Sequence, residues 1–283
     1  MKNSYNKLLG RISDLGEKGY FGEEAKSETV RYANIPNDIG RSVIFINDFF
    51  SENVDEDTKA ARNLLCQMIV VAYRDAKKKD AAQARAFANA FIEDIPTVLG
   101  SALLPRWVTL AETSFAYKND SKSENPSLVW NNLTKLVLAT NEFLDGLIGL
   151  LIIAWRCALG KTVNTNVLGN NYGSKVNEFA ELTKGENGPF YLFFRMADPK
   201  LRNSIAHSSI WLDSDEKKVR YIVGQQEKTE YEMDLMKFMS MAYLGSHLAS
   251  AYVAALATIV VLEDSGSAAK GFIPMHLVNL FGK

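Results

Sequence analysis

The chain has 283 residues, 47% hydrophobic and 23% charged, which is enough material for a buried core and ordinary for a globular fold. Its formal net charge of −1 excludes a surface coated with basic residues, so any dealing with nucleic acid has to run through a local site. Cys66 and Cys157 are far apart and lack a CxxC partner, which excludes a legible disulfide framework or zinc site and makes a reducing cytoplasm the expected compartment.

The first segment, "MKNSYNKLLGRISDLGEK", is polar and charged at helical spacing and lacks the apolar run of a secretory leader. Residues 1–120 read as a helical N-terminal region with no legible role. Within it, 55–80 begins with acids and ends in Lys77, Lys78 and Lys79, matching the helix dipole at both ends. Good helix formers continue over 81–95 as far as Pro96, and a further helical segment over 97–117 is interrupted by Pro105. The polar stretch "KNDSKSENPS" (118–127) is the predicted boundary.

Beyond it, 127–159 reads as one very long helix, apolar enough to be the central post of a bundle. The runs 146–155 and 248–262 resemble membrane spans in composition but fall short of the roughly 20 residues a bilayer needs, so buried helices and no membrane are expected. Residues 160–173 are loop. Gly169, Gly173 and Lys175 give the order GSK and not GK[ST], so no phosphate-binding loop is read there. Short helices follow at 174–184 and 189–197.

The next stretch, "LRNSIAHSSIWLDSDEKKVRYIV" (201–223), carries chemistry. Asp198 before Pro199 is a helix start, with an acceptor at the N-cap and proline at N1. Asn203 and His207 share a face of that helix, and Arg202 lies one position round, so all three can look into one groove. A guanidinium fork can grip two phosphate oxygens, an imidazole can move a proton near neutral pH, and an amide can orient either. RNA brings its own nucleophile, the 2′-hydroxyl. A β-hairpin is expected over "IWL" and "VRYIV", and its Lys217, Lys218 and Arg220 are candidates for holding an RNA backbone. A last long helix starts near Asp234, or at Thr229 if Thr229 and Glu232 form a capping box. Residues 264–283 read as a flexible joint and an apolar tail whose Phe272, Leu277 and Phe281 dock on the bundle or on a partner.

"LRNSIAH", on a helix between a bundle helix and a hairpin, resembles the R-N-x3-H form of the RNA-cleaving motif of HEPN domains, with Arg202, Asn203 and His207 in the motif positions. The likeness covers about 126 to 263. It implies a mainly α fold: a HEPN-like helical bundle with a small β-hairpin after the motif helix, here with an additional helical N-terminal region. It also implies a homodimer with two motif helices face to face, and metal-independent endoribonuclease chemistry leaving a 2′,3′-cyclic phosphate and a 5′-hydroxyl. His207 is then the general base or acid, Arg202 the phosphate and transition-state stabiliser, and Asn203 the orienting group.

By the same likeness the chain is a toxin or phage-defence effector, with a regulatory or antitoxin partner. Ser209 stands where HEPN toxins under nucleotidyltransferase control often carry a tyrosine, a departure from that route of control. Glu142 and Asp145 read either as supports of the site or as structural acids of a buried helix. His247 reads as core and His276 as surface. No HExxH, CxxC or clustered Asp/Glu lies near the motif, so neither metal nor cofactor is expected. The rival readings are a non-catalytic HEPN scaffold that binds nucleotide, RNA or a protein, and a helical bundle that senses a small molecule in its apolar middle.

Overall fold

The computed structural model describes residues 54–92, 103–163, 165–224, 227–265 and 273–282, with isolated positions at 14, 16–19, 46, 49–51 and 270–271. The expectations for most of the first 53 residues, for Pro96 and for Phe272 lie outside the described residues.

Helix α1 (Glu56–Lys79) starts at Asp55, whose carboxylate accepts from the Thr58 N–H at 2.9 Å, and it ends on the three lysines. Asp80 has extended backbone and accepts from the Gln83 N–H at 3.0 Å, so it stops α1 and caps α2 (Ala81–Ile92). Helix α3 (Leu103–Asp120) corrects the reading of Pro105, which sits in the first turn of α3. A proline there forfeits no intrahelical hydrogen bond. Helix α4 (Pro126–Ala158) has Asn125 as its cap, accepting from Ser127 and Leu128, and Pro126 at its first position.

Helix α4 is the central post. It packs on α1, α2, α3, on α5 (Tyr172–Thr183), on α7 (Pro199–Ala206) and on α8 (Leu235–Ser265). The short α6 (Tyr191–Met196) precedes α7, and α9 (Met275–Phe281) closes the chain against α1. There Leu277 is fully buried and the Phe281 ring stacks on Tyr73 at 6.0 Å, so both tail residues dock on the bundle. One hydrophobic core runs from Leu65 and Ile69 through Phe143 and Leu147 to Tyr252 and Ile259. The segment 118–127 therefore joins two helices that share this core, and does not separate two cores.

The short apolar runs belong to helices long enough to cross a membrane. Within α4 and α8, however, 83% and 78% of the most apolar window is buried inside the fold. The two helices approach closely at Gly245, where an added Cβ would lie 2.3 Å from the Thr140 methyl.

The expected hairpin is larger than predicted. Strands β1 (Ile210–Asp213), β2 (Lys218–Val223) and β3 (Thr229–Asp234) form a three-stranded antiparallel sheet in that order, and α8 begins at Leu235. Thr229 and Glu232 thus belong to a strand and not to a capping box. The alternation Tyr231, Met233 half-buried against Glu230, Glu232 exposed has the period of a strand.

Candidate functional site

Helix α7 is built as its sequence suggests. The Asp198 carboxylate accepts from the Leu201 N–H at 2.9 Å and Pro199 occupies the first position. Leu201 and Ser204, three apart, are buried; the Ser204 hydroxyl lies 2.8 Å from the Ile222 carbonyl on β2, which fastens α7 to the sheet. With those two facing in, Lys200, Asn203 and His207 form the exposed stripe, at i, i+3 and i+7. His207 is the C-cap. Ser208 after it adopts a left-handed φ of 55°, which ends the helix and turns the chain into β1.

Arg202 leans sideways off this stripe. Its Nε donates to Glu142 Oε1 of α4 at 2.7 Å, its Nη2 pairs with the same oxygen, and its Nη1 donates to Asn203 Oδ1 at 3.0 Å. Five guanidinium protons less these three leave one N–H on each terminal nitrogen. Arg202 and Glu142 are about one-third exposed (31% and 33%), so their pairing is worth roughly 1 kcal/mol or less in stability. Orientation is its larger effect: Glu142 fixes the fork, and the fork fixes the Asn203 amide. His207 is exposed beside them.

Below lies a buried polar layer that sequence patterns did not show. Asn141, fully buried, accepts from the Asp198 N–H at 2.9 Å and from the Tyr172 hydroxyl at 3.1 Å, while donating to the Val137 carbonyl. Burial, with the carboxylates of Asp145, Asp198 and Glu142 nearby, pushes the Tyr172 phenol well above its ordinary value, so it remains a donor. One turn along α4 from Asn141, Asp145 accepts from Lys175 Nζ at 2.8 Å and from Arg106 Nη1 at 3.1 Å. Lys175 is 5% exposed, so the lysine of the discarded GSK is a buried strut between α5 and α4. Glu142 therefore touches a motif residue, whereas Asp145 braces the helix that carries Glu142.

The hairpin cations stand elsewhere than the sequence suggested. Lys218 and Arg220 alternate with buried Val219 and Tyr221, so they point from the sheet face opposite the core. There Lys218 pairs with Glu232, and Arg220 lies within 4 Å of carboxylate oxygens of Asp213, Glu216, Glu230 and Glu232. Lys217 is at the turn, about 13 Å of strand beyond the Tyr221 end that meets α7. Three cations amid more carboxylates make a poor RNA cradle.

The cation that does share the stripe with His207 is Lys200. Its Nζ lies 3.1 Å from the Tyr231 hydroxyl and 4.5 Å from the centre of that ring. Tyr231 stacks on Tyr221, its partner in register on β2, with centroids 5.6 Å apart. Lys200 was legible from its spacing to His207, but Tyr231 comes from a strand read as a helix start.

The other histidines differ in setting. His247 is half-buried, with Nδ1 2.8 Å from Arg62 Nη2 and its ring 4.7 Å from Tyr243, and His276 is exposed in α9. The motif stripe lies on open surface; a cleft of about 580 Å³ is lined elsewhere, by Arg156, Asn170, Ser174 and Asn177. Among the described residues no three His, Cys, Asp or Glu side chains are grouped so as to hold a metal ion. A scan against protein-family models, a search of curated proteins and a search of solved structures each found no match to this chain.

Proposed function

We propose that the chain is a metal-independent endoribonuclease of the HEPN kind, acting as a homodimer with its two α7 stripes face to face, in a toxin or phage-defence setting. The observation that carries this reading is the Glu142–Arg202–Asn203 chain of contacts beside an exposed His207. A guanidinium aimed by a neighbouring helix, with one N–H free on each terminal nitrogen, suits the two non-bridging oxygens of a phosphodiester.

The reaction needs no water. The 2′-oxygen loses its proton and forms a bond to phosphorus, the bond from phosphorus to the 5′-oxygen breaks, and that oxygen takes up a proton. The products are a 2′,3′-cyclic phosphate and a 5′-hydroxyl. The two proton transfers occur on opposite sides of phosphorus, beyond the span of one imidazole. Two copies of His207 across a two-fold axis supply a base and an acid, and two copies of Arg202 bear the charge that builds on the phosphate. An open convex stripe, otherwise exposed to solvent, becomes an enclosed site only when a second copy covers it.

The test is cleavage of single-stranded and structured RNA by purified protein, with and without chelator, beside the same RNA methylated at every 2′-hydroxyl. Cleavage that survives chelator, fails on methylated RNA and leaves cyclic phosphate ends supports the reading. Cleavage of DNA, or activity lost in chelator and restored by magnesium, overturns it. Rate per protomer should fall on dilution, and excess His207→Ala chain should poison the wild type; a monomer with rate strictly proportional to concentration sinks the composite site.

A further inference from the structure

We infer that Lys200 and Tyr231 form a second phosphate subsite, which grips the RNA backbone away from the scissile bond and sets the direction in which a strand crosses α7. This rests on the ribonuclease reading above, and deepens it. Lys200 lies on the stripe that carries Asn203 and His207, one turn before Asn203 and two turns, or about 10 Å of helix, before His207. Lys200 and Arg202, two positions apart, leave the helix on different sides, the ammonium toward Tyr231 of β3 and the fork toward Glu142 of α4, so Lys200 suits a neighbouring phosphate of the same strand and not the one held by Arg202.

The pair is built as an anion claw. The Lys200 ammonium donates to the Tyr231 oxygen, so the phenol proton stays available to an acceptor, as do two ammonium protons. All three are donors on adjoining atoms, and a non-bridging phosphate oxygen is the acceptor that takes them with charge matched. Among the described residues no carboxylate lies within ion-pairing distance of Lys200, unlike Lys218 and Arg220. The claw is also held in place. Tyr231 is stacked on Tyr221, which is 5% exposed and lies 3.5 Å through its hydroxyl from the N-cap carboxylate of Asp198. Sheet, cap and lysine therefore move as one piece, and an ordered ammonium loses less freedom on binding than a lone surface lysine does.

The experiment measures affinity for a fluorescent single-stranded RNA in the non-cleaving His207→Ala background, across a salt series, with Lys200→Gln, Lys200→Arg and Tyr231→Phe added singly. Circular dichroism checks the fold of each. Turnover of the same RNA, and of a dinucleoside monophosphate that has one phosphodiester only, is followed with His207 intact. Lys200→Gln should weaken RNA binding about tenfold and lower the slope of log affinity against log salt by about 0.7, the value of one single-strand phosphate contact. Tyr231→Phe should weaken binding about threefold, Lys200→Arg should restore it, and the dinucleoside monophosphate should be cleaved at the wild-type rate by all three.

If RNA is bound and cut but Lys200→Gln leaves affinity and slope unchanged, the subsite is wrong and the ribonuclease reading stands. Loss of dinucleoside cleavage in Lys200→Gln makes the lysine part of the reacting centre and likewise overturns a separate subsite. If the wild-type chain neither binds nor cuts RNA, both readings fall together.

Discussion

On the outer face of the three-stranded sheet Arg220 meets carboxylates from both neighbouring strands and from the turn, and Lys218 is closed on Glu232. On the inner face two stacked tyrosines, Tyr221 and Tyr231, hold Lys200 beside the stripe of His207. The same six-residue strand, β2, feeds both. Its even-numbered cations turn outward to acids and its odd-numbered side chains turn inward to α7. Positive charge in a sequence window therefore says little about ligand binding until the face it occupies and its partners are known. A cation already circled by carboxylates is a structural clamp, and one held by a neutral phenol is open to an anion.

The sharpest way to break this comparison is to remove one group from each face. His207→Ala should lower RNA cleavage about 10²–10⁴-fold, the usual reach of a general acid–base, while Arg220→Ala should leave the rate within about twofold. Equal losses in a gel-based cleavage assay would mean that the outer face takes part. Arg202→Ala should follow with about 10²–10³-fold, since in the proposed reaction it bears the charge that builds on the phosphate, and Glu142→Gln, which only loosens the fork, with about tenfold. Asn203→Ala should be milder than Arg202→Ala.

Beneath the inner face the effect moves from rate to stability. Lys175→Met leaves the Asp145 carboxylate with Arg106 alone and should cost about 3 kcal/mol, read as a lower denaturation midpoint in urea. A change under about 1 kcal/mol would show that Asp145 and Lys175 are not a buried pair in solution.

The smallest effect expected is one of pH, and it separates the faces without mutation. The hydrogen bond from Lys218 holds the Glu232 carboxyl below its usual range, so its contribution is present above the ordinary value and lost as pH falls through the lowered one. Glu232 in turn raises Lys218, whose contribution is present below the ordinary lysine value and lost as pH rises through the raised one. Between about pH 5 and pH 9 the outer face should thus be flat, with Trp211, in register with Arg220, as its fluorescent reporter. RNA cleavage is followed over the same interval beside it. A sheet signal that follows the activity curve would join the two faces.

Local signals were read well where they were local. Asp198 with Pro199, and the acids and lysines at the two ends of α1, each mark a helix end within a residue or two, because a cap is satisfied by atoms three positions away. Strand β3 was open to two readings for a definite reason. Glu230 and Glu232 suit the first turn of a helix as well as the exposed side of a strand, and only Tyr231 and Met233 between them reveal the period of two. The layer of Asn141, Tyr172 and Asp198 joins residues up to 57 apart, and no window of sequence contains it. Glu142 was singled out for sitting charged on an apolar helix, while its partner, Arg202, came from the motif.

Asp145 stands within a turn of the midpoint of α4, which is Glu142 itself, amid leucines and isoleucines that would suit a lipid interior. An aspartate at the centre of an inserted helix costs about 3 kcal/mol, and Glu142, one turn away, adds a second charge. The two acids that brace the motif thus also oppose partition of α4 into a bilayer while the chain is still being made, before α1 and α8 have covered it. Neutralising both to stabilise the core would leave α4 free of charge from Leu136 to Trp155, and the nascent chain would become a better client for membrane-insertion machinery than for its own fold.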